Sequence, residues 1–450
     1  MSEAVADRKQ AVLNLFTSVF HRGSWREQGV DPEQWINPDL YKFYATEAER
    51  GKLHALFVAD TWSLTYAEGK DEVLEKSAWL FRPEPFTLAA ALSQVTERVG
   101  LIVSGNTTFV PPYLMARQLA MLDHLSNGRA GWNIVTGHLG TEPANFGQSG
   151  MLQHELRYEK AEEYFNVLTG LWDSFESDSF LRDQQSGQFL DVTKMHRLNH
   201  EGQFFSVAGP LNSPRTPQGY PVFAQAGVSA DGKSFAARHA EIMFIALKDL
   251  ESSRVLYREM KQKAVEAGRD PEHLKILPWL ELVVEDTDEE AQAKLAELNG
   301  LVDPAVALDL LEQTLYFDLS GYPLDGPLPE IPVNKDRHQS RQQAAVDLAR
   351  RENLTIRELA MRWSSGDSGA FAGSPATIAD FIEEWVTTEG SDGFNLSFAN
   401  PWRSLPKFID QVVPELQRRG VFRTEFTGRT LRENLGLPIP QNSNTALVAK

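Results

Sequence analysis

Short apolar runs alternate with amphipathic stretches from one end of the chain to the other. The apolar runs are "AVLNLFTSV" (11–19), "LHALFVA" (53–59), "LIVSGNTTF" (101–109), "AGWNIVT" (130–136), "PVFAQA" (221–226), "EIMFIAL" (241–247), "ILPWLELVVE" (276–285) and "GFNLSFA" (393–399). Runs of this length read as buried strands, and a helical period follows each of them. Examples are "PYLMARQLAMLDHLSNG" (112–128), "ELRYEKAEEYFNVLTGLW" (155–172) and "LPKFIDQVVPELQRRG" (405–420). Eight strands with intervening helices predict an α/β fold, a (β/α)8 TIM barrel. A doubly wound open sheet is the alternative, but it normally has fewer parallel strands.

A barrel of this kind needs about 250 residues, and the chain has 450. The surplus falls into three excursions from a single domain spanning 1–450. Residues 61–84 are charged and irregular, and residues 173–220 are polar with Pro210, Pro214 and Pro217. Residues 301–375 carry "YPLDGPLPEIPVNKD", a basic helical piece and "SSGDSGAFAGSP". Long loops without structure of their own usually serve as lids or binding loops. The last excursion is the candidate lid, with "YPLDGPLPEIP" (322–332) as its tip.

The net charge of −18 leaves no basic surplus to displace counterions from a nucleic acid or to hold an anionic membrane. With no cysteine in the chain, thiolate nucleophiles, disulfides and cysteine metal sites are excluded. The start lacks the pattern of a secretory signal, no apolar run is long enough to span a membrane, and the expectation is a cytoplasmic protein. Asn106-Thr107-Thr108 and Asn395-Leu396-Ser397 then match the glycosylation pattern by coincidence.

In a barrel the functional groups sit where strands end and lead into helices. That singles out Asp60, Ser104 to Thr108, Asn133 to His138, and Gly227 to Ser229. The stretch "QAGVSADGKSFAARHAE" (225–241) passes from strand to helix through a glycine and a serine, and free amides with a helix dipole favour an anion there. An N-cap serine beside a turn glycine explains the same residues. His154 and Tyr158 stand four apart on one helix face and suit an anionic group, although Tyr158 equally fits a core stripe. Ser104, Asn106 and Thr108 share one side of their strand. Asp60 reads either as a cap or as a ligand contact. His124, and His196 with His200, read as structural, whereas His138 follows a strand end and is placed to face a substrate. The sequence has no phosphate-binding glycine–lysine loop, no Rossmann glycine fingerprint and no nucleophile elbow. No metal site is expected.

"FVPPYLMARQLAMLDHLSNGRAGWNIVTGHLGTEPANFG", "HELRYEKAEEYF", "PRTPQGYPVFAQAGVSADGKSFAARHAE" and "DGFNLSFANPWRSLPKFIDQVVPELQRRGVFRTEF" resemble the nitrilotriacetate and dibenzothiophene-sulfone monooxygenases, a group within the bacterial-luciferase-like flavin enzymes. The resemblance runs from about residue 11 to 437 and weakens over 301–375. It implies a monooxygenase of a two-component system, with reduced FMN from a separate NAD(P)H:flavin reductase, dioxygen, and a homodimer or homotetramer. Matched position by position, it implies that Asp60, Ser104 or Asn106, His154, Tyr158 and Ser229 contact the flavin. His138 becomes the candidate for bonding the substrate or the reacting oxygen. The chain departs from the relatives at "HRGSWREQG", where Arg22 and Glu27 stand in a histidine-rich segment near the substrate side; a different, anionic substrate would account for this. The alternatives are a deazaflavin-dependent oxidoreductase of the same superfamily, a flavin-binding protein without turnover, and a barrel enzyme acting on phosphorylated sugars.

Overall fold

The computed structural model describes residues 8–448 except 18–19, 36, 65–69, 79, 81, 138, 248, 333–338 and 365–369. Eight strands form the barrel: β1 (Val12–Phe16), β2 (Ala55–Val58), β3 (Gly100–Asn106), β4 (Ala130–Val135), β5 (Val222–Gln225), β6 (Ile242–Ala246), β7 (Lys275–Val284) and β8 (Gly393–Phe398). Each pairs in parallel with the next, and β8 closes onto β1 through Val12↔Gly393 to Leu15↔Leu396. This is the barrel that the alternation of runs predicts.

Alternate residues point inward, so Val12, Phe16, Phe57, Ile102, Val222, Ala224, Ile242 and Leu277 fill the interior. Intervening residues such as Leu13, Leu15, Leu101, Val103, Trp132 and Phe223 pack under the helical layer. The N-terminal end of the barrel is closed by Leu431, Leu435 and Leu437, which join the interior cluster. Arg432 beside them is fully buried and grips Glu241 through both guanidinium nitrogens, at 2.6 and 3.1 Å. The C-terminal end is thereby the open one.

Local chemistry ends several elements earlier than their apolar pattern suggests. β3 stops at Asn106 because its Oδ1 accepts from the Thr108 amide at 2.8 Å and turns the chain. The helix expected over 112–128 ends at Leu125, and the chain leaves it through Asn127 and Gly128 at positive φ. The pattern at 405–420 breaks into Pro401–Lys407, a wide turn at Phe408–Val412 and Val413–Arg418. Pro406 and Pro414 have no amide hydrogen to give a regular ladder there.

The excursions differ in kind. Residues 173–220 lie between the helix His154–Trp172 and the start of β5, so the excursion begins and ends at the N-terminal end of the barrel. They hold a two-stranded hairpin, His200–Glu201 with Ser206–Val207. Asp173 anchors them, bonded to Arg215, to the Tyr220 hydroxyl at 2.7 Å and to the Ser443 amide at 2.8 Å. Between those ends the hairpin climbs the outside of the helix His154–Trp172, where the Phe204 and Phe205 amides donate to Glu163 at 2.9 and 2.8 Å, and Pro210 O accepts from the Tyr113 hydroxyl at 3.3 Å.

Residues 301–375 follow β7 and are not a simple loop. Three helices, Pro304–Leu315, Gln339–Glu352 and Ile356–Trp363, pack around an apolar cluster of their own that includes Leu311, Leu315, Val346, Leu359 and Trp363. The segment 322–332 is stitched to them: Ile356 donates to Gly326 O at 2.9 Å and Arg357 to Leu324 O at 2.8 Å. A short strand, Phe371–Gly373, then runs parallel to the end of β7. Lys70 from the excursion after β2 reaches Asp309 at 3.0 Å and also pairs with Glu312, so two excursions meet.

Candidate functional site

At the open end, β3, β4 and β5 present amides and hydroxyls. Ser104 Oγ accepts from Asn133 Nδ2 at 2.8 Å, deep inside the barrel. Asn106 spends its Oδ1 on the Thr108 turn, and its Nδ2 is buried without a hydrogen-bond partner. Asn133 Oδ1 and Gln225 Oε1 are likewise buried and unpartnered. Buried polar atoms in folded proteins nearly always have partners, so three such atoms around one strand-end rim mark a place for a ligand. Both asparagines of the glycosylation pattern, Asn106 and Asn395, are fully buried, as coincidental matches would be.

The turn after β5 combines both readings of its sequence. Ser229 caps the helix Ala230–His239, accepting from the Gly232 amide at 3.1 Å. Tyr158, on the facing helix His154–Trp172, hydrogen-bonds the Ser229 side chain and lies 3.4 Å from Gln225 Nε2. Burial raises the Tyr158 pKa, so the hydroxyl stays a neutral donor. A Cβ at Gly227 would collide with Gln225 and the Tyr158 hydroxyl, which is why glycine stands there. Arg157 donates to Gly137 O at 2.6 Å and brings positive charge to Tyr158.

Asp60 follows β2, half-buried on a loop drawn toward the β4 loop by Trp62 and Asn145. The Trp62 amide donates to Glu142 at 3.3 Å, and Asn145 Nδ2 donates to Trp62 O at 2.7 Å. Burial lifts Asp60 to about 7; Glu84 and Glu142 push the same way, while the Thr61 amide and Arg82 oppose them.

The opposite wall is built differently. Phe16, Phe57, Phe244 and Trp279 form an aromatic floor, with centroids 5.0 Å apart for Phe16–Phe244, 5.3 Å for Phe57–Phe244 and 6.1 Å for Phe16–Trp279. Above it stands Glu281, next inward after Trp279 on β7. In the β1 loop His21 is fixed as the neutral Nε2–H tautomer, because Nδ1 accepts from Gly23 N at 3.1 Å and Nε2 faces Asn299 Oδ1 at 3.0 Å. Burial drives its pKa down to about 4. Glu27 takes bonds from Asn400, Lys294 and Arg403. That structural cluster uses the carboxylate itself, so Glu27 does not speak to substrate charge.

Ser104, Asn106, Tyr158, Ser229 and Asp60 thus gather at one end of the barrel. His138 lies outside the described residues, as does the His154 side chain, although His154 begins the helix that carries Tyr158. His196 pairs with Glu176 and His200 with Glu163, while His124 meets Pro214 O. Among the described residues no group of three or more metal-ligating side chains forms, and no helix is long and apolar enough to cross a membrane. Asn133 belongs to the strand-end stretch 133–138 that the sequence singles out, whereas Gln225, Arg157 and Glu281 were not singled out as ligand groups and nothing local marks them.

The sequence model of the family described as Luciferase-like monooxygenase matches residues 16–392. The chain belongs to the luciferase-like monooxygenases. This luciferase-like monooxygenase is 46% identical to N-acetyl-S-(2-succino)cysteine monooxygenase of Bacillus subtilis (strain 168), over 97% of this chain and 98% of that one. It is 44% identical to nitrilotriacetate monooxygenase component A of Aminobacter aminovorans, over 94% and 95%. A crystal structure of riboflavin lyase, holding a modified FMN and riboflavin, superposes with a TM-score of 0.85 at 31% identity, covering 96% of this chain and 97% of that one.

Proposed function

We propose that this monooxygenase takes reduced FMN from a separate NAD(P)H:flavin reductase and uses it with dioxygen to oxygenate a small organic substrate in the mouth of the barrel. The observation that carries the reading is the set of orphaned amide atoms, Asn106 Nδ2, Asn133 Oδ1 and Gln225 Oε1, beside a strand-to-helix turn suited to an anion. The residues fit FMN. Ser229 and Tyr158 would hold the phosphate, with Gln225 orienting the Tyr158 hydroxyl, Arg157 supplying positive charge and His154 one turn before Tyr158. Ser104, Asn106 and Asn133 would meet the polar edge of the ring system. Asp60, held near neutrality, would donate or accept a proton at its carboxyl as conditions demand.

The bound flavin supplies the electrons that activate dioxygen. This chain's part is to position, to exclude water and to hold protons in place. The aromatic floor removes water from below. The helical excursion 301–375, pinned to the 61–84 excursion by Lys70, is proposed to cover the mouth from above. His138 is proposed to bond the substrate or the reacting oxygen.

The test is oxygen uptake with a generic flavin reductase, NADH and FMN, screened over organosulfur and aminopolycarboxylate compounds, beginning with N-acetyl-S-(2-succino)cysteine and nitrilotriacetate. The expected result is an oxygenated product formed one for one with consumed oxygen. Failure to bind FMN in either redox state contradicts the reading. Turnover with a reduced deazaflavin and no oxygen uptake would instead assign the hydride-transfer chemistry of the wider superfamily.

A further inference from the structure

The wall facing the orphaned amides carries a titratable group that the flavin reading leaves unused. Glu281 lies two residues beyond Trp279 on β7 and so points to the same inner side, in register with Ser397 on β8. It is 5% exposed. Among the described residues it makes no hydrogen bond and no ion pair, while Ser397 across from it is already taken by Trp279 Nε1 at 2.7 Å. An isolated buried carboxylate is costly, and an unpaired neutral carboxyl still carries an unmet donor. A barrel interior that needed only packing would place an aliphatic side chain there.

The charged and titratable groups around it are few. From the β1 loop come Arg22, whose charge favours the ionised form of Glu281, and His21, kept neutral by burial. From the helix Pro38–Arg50 comes Tyr44, whose own pKa is raised by burial. Burial likewise lifts Glu281 to about 8, with Arg22 opposing. At neutral pH the carboxyl therefore keeps its proton. The wall then offers a neutral O–H above an aromatic floor.

We propose that Glu281 is a specificity-determining residue of the substrate cavity, its carboxyl O–H donating to an anionic oxygen terminus of the substrate, a carboxylate or sulfonate. The inference rests on the barrel mouth being the substrate site of the FMN-dependent reaction. A ligand that needs the protonated form loses affinity as pH rises through the Glu281 pKa, about tenfold per unit beyond it.

The test uses the FMN-saturated protein and two probes of one shape, phenylacetate and phenethylamine, titrated from pH 6.5 to 9 by ligand-observed NMR. Phenylacetate is expected to bind at pH 6.5 to 7 and to weaken about tenfold per unit above pH 8, with phenethylamine binding far more weakly. Glu281→Gln keeps a donor and should keep phenylacetate binding while flattening its pH profile. Glu281→Ala should weaken it roughly tenfold, the scale of one hydrogen bond to a charged group. A flat profile in the parent, preference for the amine, or no binding of either probe to FMN-loaded protein overturns the proposal. Loss of FMN binding itself, read in the same samples, would count against the flavin reading and not against Glu281.

Discussion

The two longest excursions look alike in sequence, both polar and both punctuated by prolines, yet they are rooted at opposite ends of the barrel. Residues 173–220 enter β5, so topology roots them at the closed end, where Asp173 ties them to Tyr220, Arg215 and the C-terminal segment. Residues 301–375 leave β7 at the open end, build a small apolar core and meet the 61–84 excursion through Lys70. Composition did not distinguish them. What did was whether the excursion precedes a strand or follows one, since only loops after strands reach the catalytic face of a barrel.

The contrast predicts that the closed end governs stability and the open end governs chemistry. The largest effect is expected from Asp173→Ala. It leaves the Arg215 guanidinium, 7% exposed, without its partner, and breaking a buried pair from one side costs about 3 kcal/mol. Urea denaturation should show that loss while FMN affinity stays that of the parent; a weakened FMN affinity would erase the distinction between the ends.

Lys70→Ala tests the other end. It strips the shared cation from Asp309 and Glu312, at an expected cost of about 1–2 kcal/mol because Lys70 is partly exposed. The readout is hydrogen peroxide released per reduced flavin consumed, which should rise with FMN affinity unchanged, since a loosened cover admits water. Unchanged coupling in a folded variant would remove the covering role from 301–375.

Asp60 gives a smaller, pH-dependent effect. Its carboxyl is raised from 3.8 to about 7 on folding, so the folded state keeps a proton that the unfolded chain gives up. Stability from this group is full below pH 4, falls as pH rises and is lost above 7. Asp60→Asn removes that decline, so its urea midpoint should match the parent near pH 4 and exceed it increasingly up to pH 7. Parallel profiles for the two proteins would show that Asp60 is not desolvated as the loop geometry implies.

The sequence revealed the barrel because eight apolar runs, each bounded by turns, leave few other arrangements. It also revealed the inward pair Ser104 and Asn106 on β3 and the strand-to-helix turn, since alternation and capping are local; Thr108, read with them, lies in the turn beyond the strand. Glu281 escaped notice inside "ILPWLELVVE", where one acid in an apolar strand reads as an edge position until the register puts it inside. Gln225 and Arg157 escaped because their roles depend on two helices and a strand meeting. Of the helical structure in 301–375 the sequence showed a single basic piece; the three separate helices were hidden by the prolines and glycines between them.

The central claim is that the turn at Gly227–Ser229, with Tyr158, holds the phosphate of FMN. Its most direct test is a paired titration of FMN and riboflavin against the parent, Tyr158→Phe and Ser229→Ala. Each substitution should weaken FMN by about 1 kcal/mol, roughly fivefold, and leave riboflavin binding where the parent has it. Equal weakening of both ligands, or a parent that does not distinguish FMN from riboflavin, would contradict the assignment.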